Sequence, residues 1–128
     1  MPKNSSPHWK AESDEHDYPA AANYLSLLLT AAQAKRLASS FRKTPISTYL
    51  AKDLLRASRL PLLPTENYHV KKDLKRVKQG LLLSPVLLVR GDLSEDRLLI
   101  IADGYHRVCA SYYLDENAEV LCHIVSPS

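Results

Sequence analysis

One stretch constrains this chain more than any other: an apolar run over residues 98–102 ends on Asp103-Gly104 and passes directly into Tyr105–Leu114. Five apolar residues with two adjacent isoleucines suit a strand and are too few for a buried helix. Gly104 supplies the backbone freedom that a sharp change of direction needs. Beyond it, Val108, Cys109 and Tyr112 recur at helical spacing and read as core. A strand that feeds straight into a helix must belong to a layered domain, because each element buries one face against the other.

The neighbouring segments extend this unit. Pro85 opens the β-rich run Val86–Val89, and Gly91-Asp92 with the charged residues to Arg97 predicts a hairpin connection to residues 98–102. Glu119–Val125 alternates as a last strand. Residues 66–79 predict a helix, with Val70, Leu74 and Val77 on one face and Gly80 as its stop. Further upstream, the Ala- and Leu-rich residues 20–41 predict one long amphipathic helix, with Pro19 in its first turn and Arg42 and Lys43 at its far end. Thr44-Pro45 breaks the pattern, and residues 46–57 read as a second helix. Residues 60–63, interrupted by Pro61 and ended by Pro64, read as an edge strand or an extended approach to the core. The expected fold is α+β: a small mixed β-sheet with packed helices, preceded by a helical N-terminal extension. Residues 1–18 are expected to be a mobile tail, 19–58 the helical extension and 59–128 the sheet-bearing domain.

Length and composition narrow the functional classes. A chain of 128 residues, 45% hydrophobic and 24% charged, fits one compact domain with a real core. No apolar run approaches the roughly 18 residues of a membrane span, and the polar start lacks the apolar core of a signal peptide. The expectation is a cytoplasmic protein with no membrane partner. Cys109 and Cys122, the only cysteines, read as small buried apolar residues, and no paired Cys/His spacing indicates structural zinc. A formal net charge of +3 permits a polyanionic partner without demanding one.

The chemistry concentrates at the turn. A helix that starts at Gly104 presents unpaired backbone N–H groups and the positive end of its dipole, an arrangement that binds anions. Arg107 in the first helical turn has a guanidinium able to hold two phosphate oxygens. His106 beside it donates a hydrogen bond or a proton near neutral pH. Gly104, Tyr105, His106 and Arg107 are therefore the candidate phosphate-binding residues, with Arg107 expected to be exposed. Asp103 has two readings, a cap for the helix or a metal ligand through which Mg²⁺ would bridge to a phosphate. Glu66 and His69 are acid/base candidates, together with His106. The helix of residues 66–79 carries Lys71, Lys75 and Lys78 on one face, which reads as a solvated face or as a surface steering nucleic acid.

The order of helix, "LLLSPVLLVR", hairpin, "LLIIADGYHRVCAS", helix and final strand resembles the N-terminal domain of ParB-like proteins, in the superfamily that also contains sulfiredoxin and a free-serine kinase. The resemblance covers roughly residues 60–125 and lies in Pro85-Val86, the strand before Asp103, and Gly104-x-His106-Arg107-x-x-Ala110. It implies a site for nucleotide phosphates at this turn, with a Mg²⁺-nucleotide as cofactor. His106 and Arg107 match the His-Arg pair of sulfiredoxin and the serine kinase. Pro64-Thr65-Glu66 resembles the stretch where the kinase places its catalytic glutamate. No helix-turn-helix segment, which partitioning ParB proteins carry after this domain, follows before Ser128.

Three functions follow as expectations. The first is a nucleotide-binding domain with phosphoryl-transfer or nucleotide-hydrolysing activity. The second is a nucleic-acid-associated ParB-like module that binds or cuts DNA. The third is a non-catalytic interaction domain, for which a second copy of the chain, as a homodimer, is one candidate partner. Sulfiredoxin chemistry is not expected, because Tyr105 stands where the reactive cysteine would be. Incubation with ATP and a sulfinylated peroxiredoxin is predicted to leave the peroxiredoxin oxidised, and its reduction would overturn the reading of Tyr105.

Overall fold

A computed structural model describes residues 7–127. Its element order is α1 (Asp17–Leu25), α2 (Ala31–Lys43), β1 (Ser47–Leu50), α3 (Ala51–Ser58), α4 (Tyr68–Lys78), β2 (Val86–Val89), a short 3-10 turn (Leu93–Glu95), β3 (Ile100–Asp103), α5 (Tyr105–Leu114) and β4 (Glu119–Val125). The fold is α+β, with five helices on a small mixed sheet. The strands lie in the order β1-β4-β2-β3. β2 runs parallel to β4, while the β1–β4 and β2–β3 pairs are antiparallel.

β2 explains why this sheet needs helices on both faces. All four of its residues are buried. Val86 and Leu88 join a core with Leu54, Val70, Val108 and Val120, beneath α3, α4 and α5. Leu87 and Val89 join the opposite core with Tyr18, Leu25, Leu37 and Phe41, from α1 and α2. A strand buried on both sides reads as a continuous apolar run, which is how "VLLV" is written. The N-terminal helices are therefore the second covering layer of the sheet and not an extension beside it. The boundary expected near residue 58 also fails, since β1 lies before it and pairs with β4 from Ser47↔Cys122 to Leu50↔Glu119.

Two local expectations are corrected and a third is narrowed to one of its alternatives. The single helix over residues 20–41 is two helices, because Thr30 and Gln33 form a capping box that starts α2 afresh. Residues 47–50, expected as helix, are strand β1, where Thr48 and Tyr49 find a paired edge of β4. Of the two readings of residues 60–63, the strand is excluded and the extended approach to the core stands, with Leu60 and Leu63 packed against it. The carbonyls of this stretch receive tyrosine hydroxyls of α5, Tyr105 on Pro61 and Tyr113 on Leu63 at 2.6 Å. The expected tail is packed where it is described: Ser13, Asp17 and Tyr18 are buried, and Trp9 bridges to Leu83. The rest of that expectation, residues 1–6, lies outside the described residues.

Both cysteines are buried and unpaired. Burial raises the thiol of Cys109 and pushes that of Cys122 up to about 12. No helix among the described residues is long and apolar enough to cross a membrane.

If α1 and α2 are a true layer, their anchor must stabilise the whole domain. Phe41 is fully buried against the sheet, so Phe41→Ala is predicted to lower the unfolding free energy by about 3–5 kcal/mol. The loss should appear as one cooperative transition in urea. A second, separate transition for the helices would contradict this.

Candidate functional site

β3 delivers Asp103 to the edge of a cleft, and Gly104 turns the chain into α5. Gly104 adopts φ +112°, and a Cβ there would lie 2.4 Å from Val86 Cγ1 and 2.9 Å from an Arg107 nitrogen. The glycine is thus required by the turn and by the packing of Val86 beneath it. α5 starts with no side chain capping it, so its first-turn N–H groups are left for solvent or a ligand. Asp103 is not the cap. Its carboxylate instead accepts from Arg107 Nη2 at 2.7 Å.

Arg107 occupies a different position from the exposed one expected. Its side chain is 12% exposed and lies between two carboxylates, with Nη1 3.2 Å from Asp17 Oδ2 as well as Nη2 on Asp103. Nη1 also donates to the Ser84 carbonyl at 2.7 Å. Ser84 Oγ donates to Asp17 and accepts from the Asp14 amide. Ser13 Oγ donates to the Pro85 carbonyl at 2.7 Å. One guanidinium thereby joins α1, the strand entrance at residues 84–85, β3 and α5.

Around this centre lies a cleft of about 780 Å³. α4 contributes His69, Lys72, Asp73 and Arg76; the N-terminal segment contributes Lys10, Asp14 and His16; Leu81 and Leu82 add apolar wall. The rings of His69 and His106 lie 4.7 Å apart, tilted by 44°. Burial, with His69 adding to it, lowers the pKa of His106, which favours the neutral imidazole. Asp73 is raised, chiefly by burial, although Arg107 and Arg76 oppose the shift. Asp103 is pushed up to about 6 by burial, against the pull of Arg107. The hydrogen bond from Lys10 holds Asp14 below the usual carboxylate range.

The expected site residues divide. Gly104, His106, Arg107 and Asp103 all line the cleft. Tyr105 contributes backbone to the helix start, but its hydroxyl is directed away, to Pro61. Glu66 is exposed in the turn before α4 and is not part of the cleft wall. The carboxylate that faces His106 from this helix is Asp73. It follows Val70 by three residues and precedes Leu74, so its place on the apolar stripe was a usable signal. Asp14, His16 and Asp17 were missed because they lie in a segment read as tail. Trp9 and Tyr18 flanking them were the indication that the segment packs. Oxygen or nitrogen atoms of Asp14, His16 and Asp17 lie within 4.8 Å of one another. Comparison of the chain with protein-family models, curated proteins and solved structures finds no match.

The charges of the cleft wall cancel when the histidines are neutral: Lys10, Lys72, Arg76 and Arg107 against Asp14, Asp17, Asp73 and Asp103. Removing one member of the central cluster therefore leaves buried charge unmatched. Arg107→Ala is predicted to cost about 3 kcal/mol or more of stability, because it strands two carboxylates at once. Thermal and urea melts check this, and a near-neutral result would mean that Arg107 is not structural.

The pH dependence has a definite sign. Asp103 binds its proton more tightly folded, at about 6, than unfolded, near its ordinary value of 3.8. Ionising it costs the folded state, so its stabilising contribution is complete below the unfolded value and is lost as pH rises through about 6. Asp73 acts in the same direction. Urea midpoints are predicted to fall between pH 4.5 and pH 6.5, with a smaller fall in Asp103→Asn. An unchanged slope in that variant would assign the effect elsewhere.

Proposed function

We propose that this chain is a ParB/sulfiredoxin-like domain that binds the phosphates of a Mg²⁺-nucleotide in the cleft at the start of α5. The observation that carries this reading is the uncapped N-terminus of α5 opening into a cleft whose wall presents Lys72, Arg76 and His106. Backbone N–H groups and a helix dipole favour a phosphate there, and the cationic side chains suit its remaining oxygens. His106, neutral at pH 7, donates a hydrogen bond. Arg107 acts as a positioning residue, since both of its terminal nitrogens already have carboxylate or carbonyl partners.

The balanced charge of the wall decides the form of the ligand. A bare polyphosphate would bring several negative charges against four carboxylates, whereas a Mg²⁺ complex brings fewer. Mg²⁺ prefers oxygen ligands, commonly one or two carboxylates together with phosphate and water. Asp14, whose carboxylate is engaged only through Oδ1 by Lys10, fits that pattern better than Asp17 and Asp103, which both already accept from Arg107. His16 is less suited to so hard a cation. For phosphoryl transfer or hydrolysis, His106 and Asp73 are the acid/base candidates, with Asp73 in the place expected for Glu66.

Calorimetric titration with ADP and ATP, with and without Mg²⁺, tests the proposal. Binding is expected only with Mg²⁺, and His106→Ala or Arg76→Ala should weaken it about tenfold or more, the value of one charge-assisted or well-aligned hydrogen bond. Glu66→Gln should leave it unchanged. Absence of saturable binding, or equal affinity in both cleft variants, would refute the assignment.

A further inference from the structure

A second cavity, of about 380 Å³, lies at the other end of the same strands. β2 and β3 are antiparallel, with Leu87 opposite Asp103 and Val89 opposite Ile100. The cleft therefore lies at the Asp103 end, and this cavity lies where β2 runs out at Arg90 and β3 begins. Its walls come from the end of α3, the β2–β3 hairpin and Ile124 of β4. The volume falls within the range of small-molecule sites.

Two properties of the lining are at odds with a surface dimple. The floor is apolar, built from Tyr49, Leu54, Ala57, Leu99 and Ile124. Around it stand four arginines, Arg56, Arg59, Arg90 and Arg97, against two acids, Asp53 and Asp92, an excess of two positive charges. Arg56 pairs with Asp53 at 3.2 Å. Asp92 is spoken for, since its carboxylate accepts from the Ser94 amide at 3.0 Å and the Ser94 hydroxyl at 2.6 Å. Among the described residues, Arg59, Arg90 and Arg97 have no carboxylate within 4.0 Å. The Nε of Arg97 is buried with no hydrogen-bond partner within the protein, although buried polar groups are nearly always paired. Arg59, moreover, holds the left-handed conformation at φ 58° that ends α3, a place usually given to glycine. An arginine stands where glycine would cost less strain.

We infer that this cavity binds a small amphipathic carboxylate, its apolar body against Leu54, Leu99 and Ile124 and its carboxylate held by Arg59, Arg90 and Arg97. Guanidinium groups match a carboxylate through paired N–H donors. Such a ligand satisfies both the unmatched cations and the apolar floor. A bare inorganic anion would leave the floor wet, and a neutral hydrocarbon would leave the arginines unanswered. This site is independent of the proposed nucleotide cleft.

The probes are octanoate and 4-phenylbutyrate, compared with octanol and octylamine, followed by calorimetry and by the melting temperature of the full chain. Saturable carboxylate binding is expected, with the alcohol and the amine about tenfold weaker or more. Arg59→Gly should weaken octanoate severalfold while keeping or raising the melting temperature, because glycine adopts the left-handed conformation freely. Arg90→Gln, at an exposed position, should weaken it as well, and His106→Ala in the other cleft should not. Absence of saturable binding overturns the inference. So does octanol binding as tightly as octanoate, or unchanged octanoate affinity in a folded Arg59→Gly, Arg90→Gln double variant.

Discussion

The guanidinium of Arg107 is the contact on which the arrangement of this domain depends. It spans Asp17 of α1, Asp103 of β3 and the Ser84 carbonyl before β2. These three partners belong to segments far apart in the chain, so a single side chain sets where the N-terminal layer meets the sheet. The pairing is nearly dry on the Asp17 side, where the carboxyl is 6% exposed. In such a setting the attraction between the charges offsets a large desolvation cost only while every partner is present. The cluster therefore contributes more to specifying one arrangement than to net stability.

From that centre the surrounding architecture follows. Because Asp17 must reach Arg107, α1 crosses the face of the sheet that α3, α4 and α5 leave open. Leu87 and Val89 are then covered, and β2 can be apolar throughout. The same contact clamps residues 8–14 alongside residues 83–85, through Lys10 N–H on the Leu83 carbonyl and Leu83 N–H on the His8 carbonyl, both at 2.8 Å. That clamp brings Asp14 and His16 to the cleft. Gly104 completes it, since any side chain there would drive into Val86. The floor of the cleft is thus structural, whereas Lys72 on α4 and His106 at the start of α5 line it outside the Arg107 cluster.

Much of this was legible in the sequence where local pattern and tertiary environment agree. The limits of α5 and β4 follow from periodicity and the turn at Gly104, and the hairpin that returns β3 beside β2 follows from Gly91-Asp92 and the charged residues after them. Failures cluster where tertiary contact overrides propensity. Ser47–Leu50 is a strand because β4 offers it an unpaired edge, which no local signal announces. Residues 60–63 take the extended approach to the core and not the strand, because two prolines and two tyrosine hydroxyls use their backbone differently. Gly104, His106 and Arg107, which line the cleft, stood out because glycine, histidine and arginine at a helix start carry a recognisable chemistry. Asp17 and Ser84 did not, because their roles arise from long-range approach to Arg107, while Asp73 carried a usable signal in its place between Val70 and Leu74. The Thr30-x-x-Gln33 box was visible and would have divided the first helix.

The start of α5 is proposed to be a ligand-binding edge held from beneath by Arg107. The most direct measurement is a backbone amide NMR titration with ADP and Mg²⁺, followed residue by residue. The account predicts the largest shifts at Gly104, Tyr105, His106 and Arg107, with smaller ones at Lys72 and Arg76, and stationary signals at Arg90 and Gly91 at the far end of the strands. Shifts confined to that far end, or spread without a maximum at Gly104–Arg107, would contradict it.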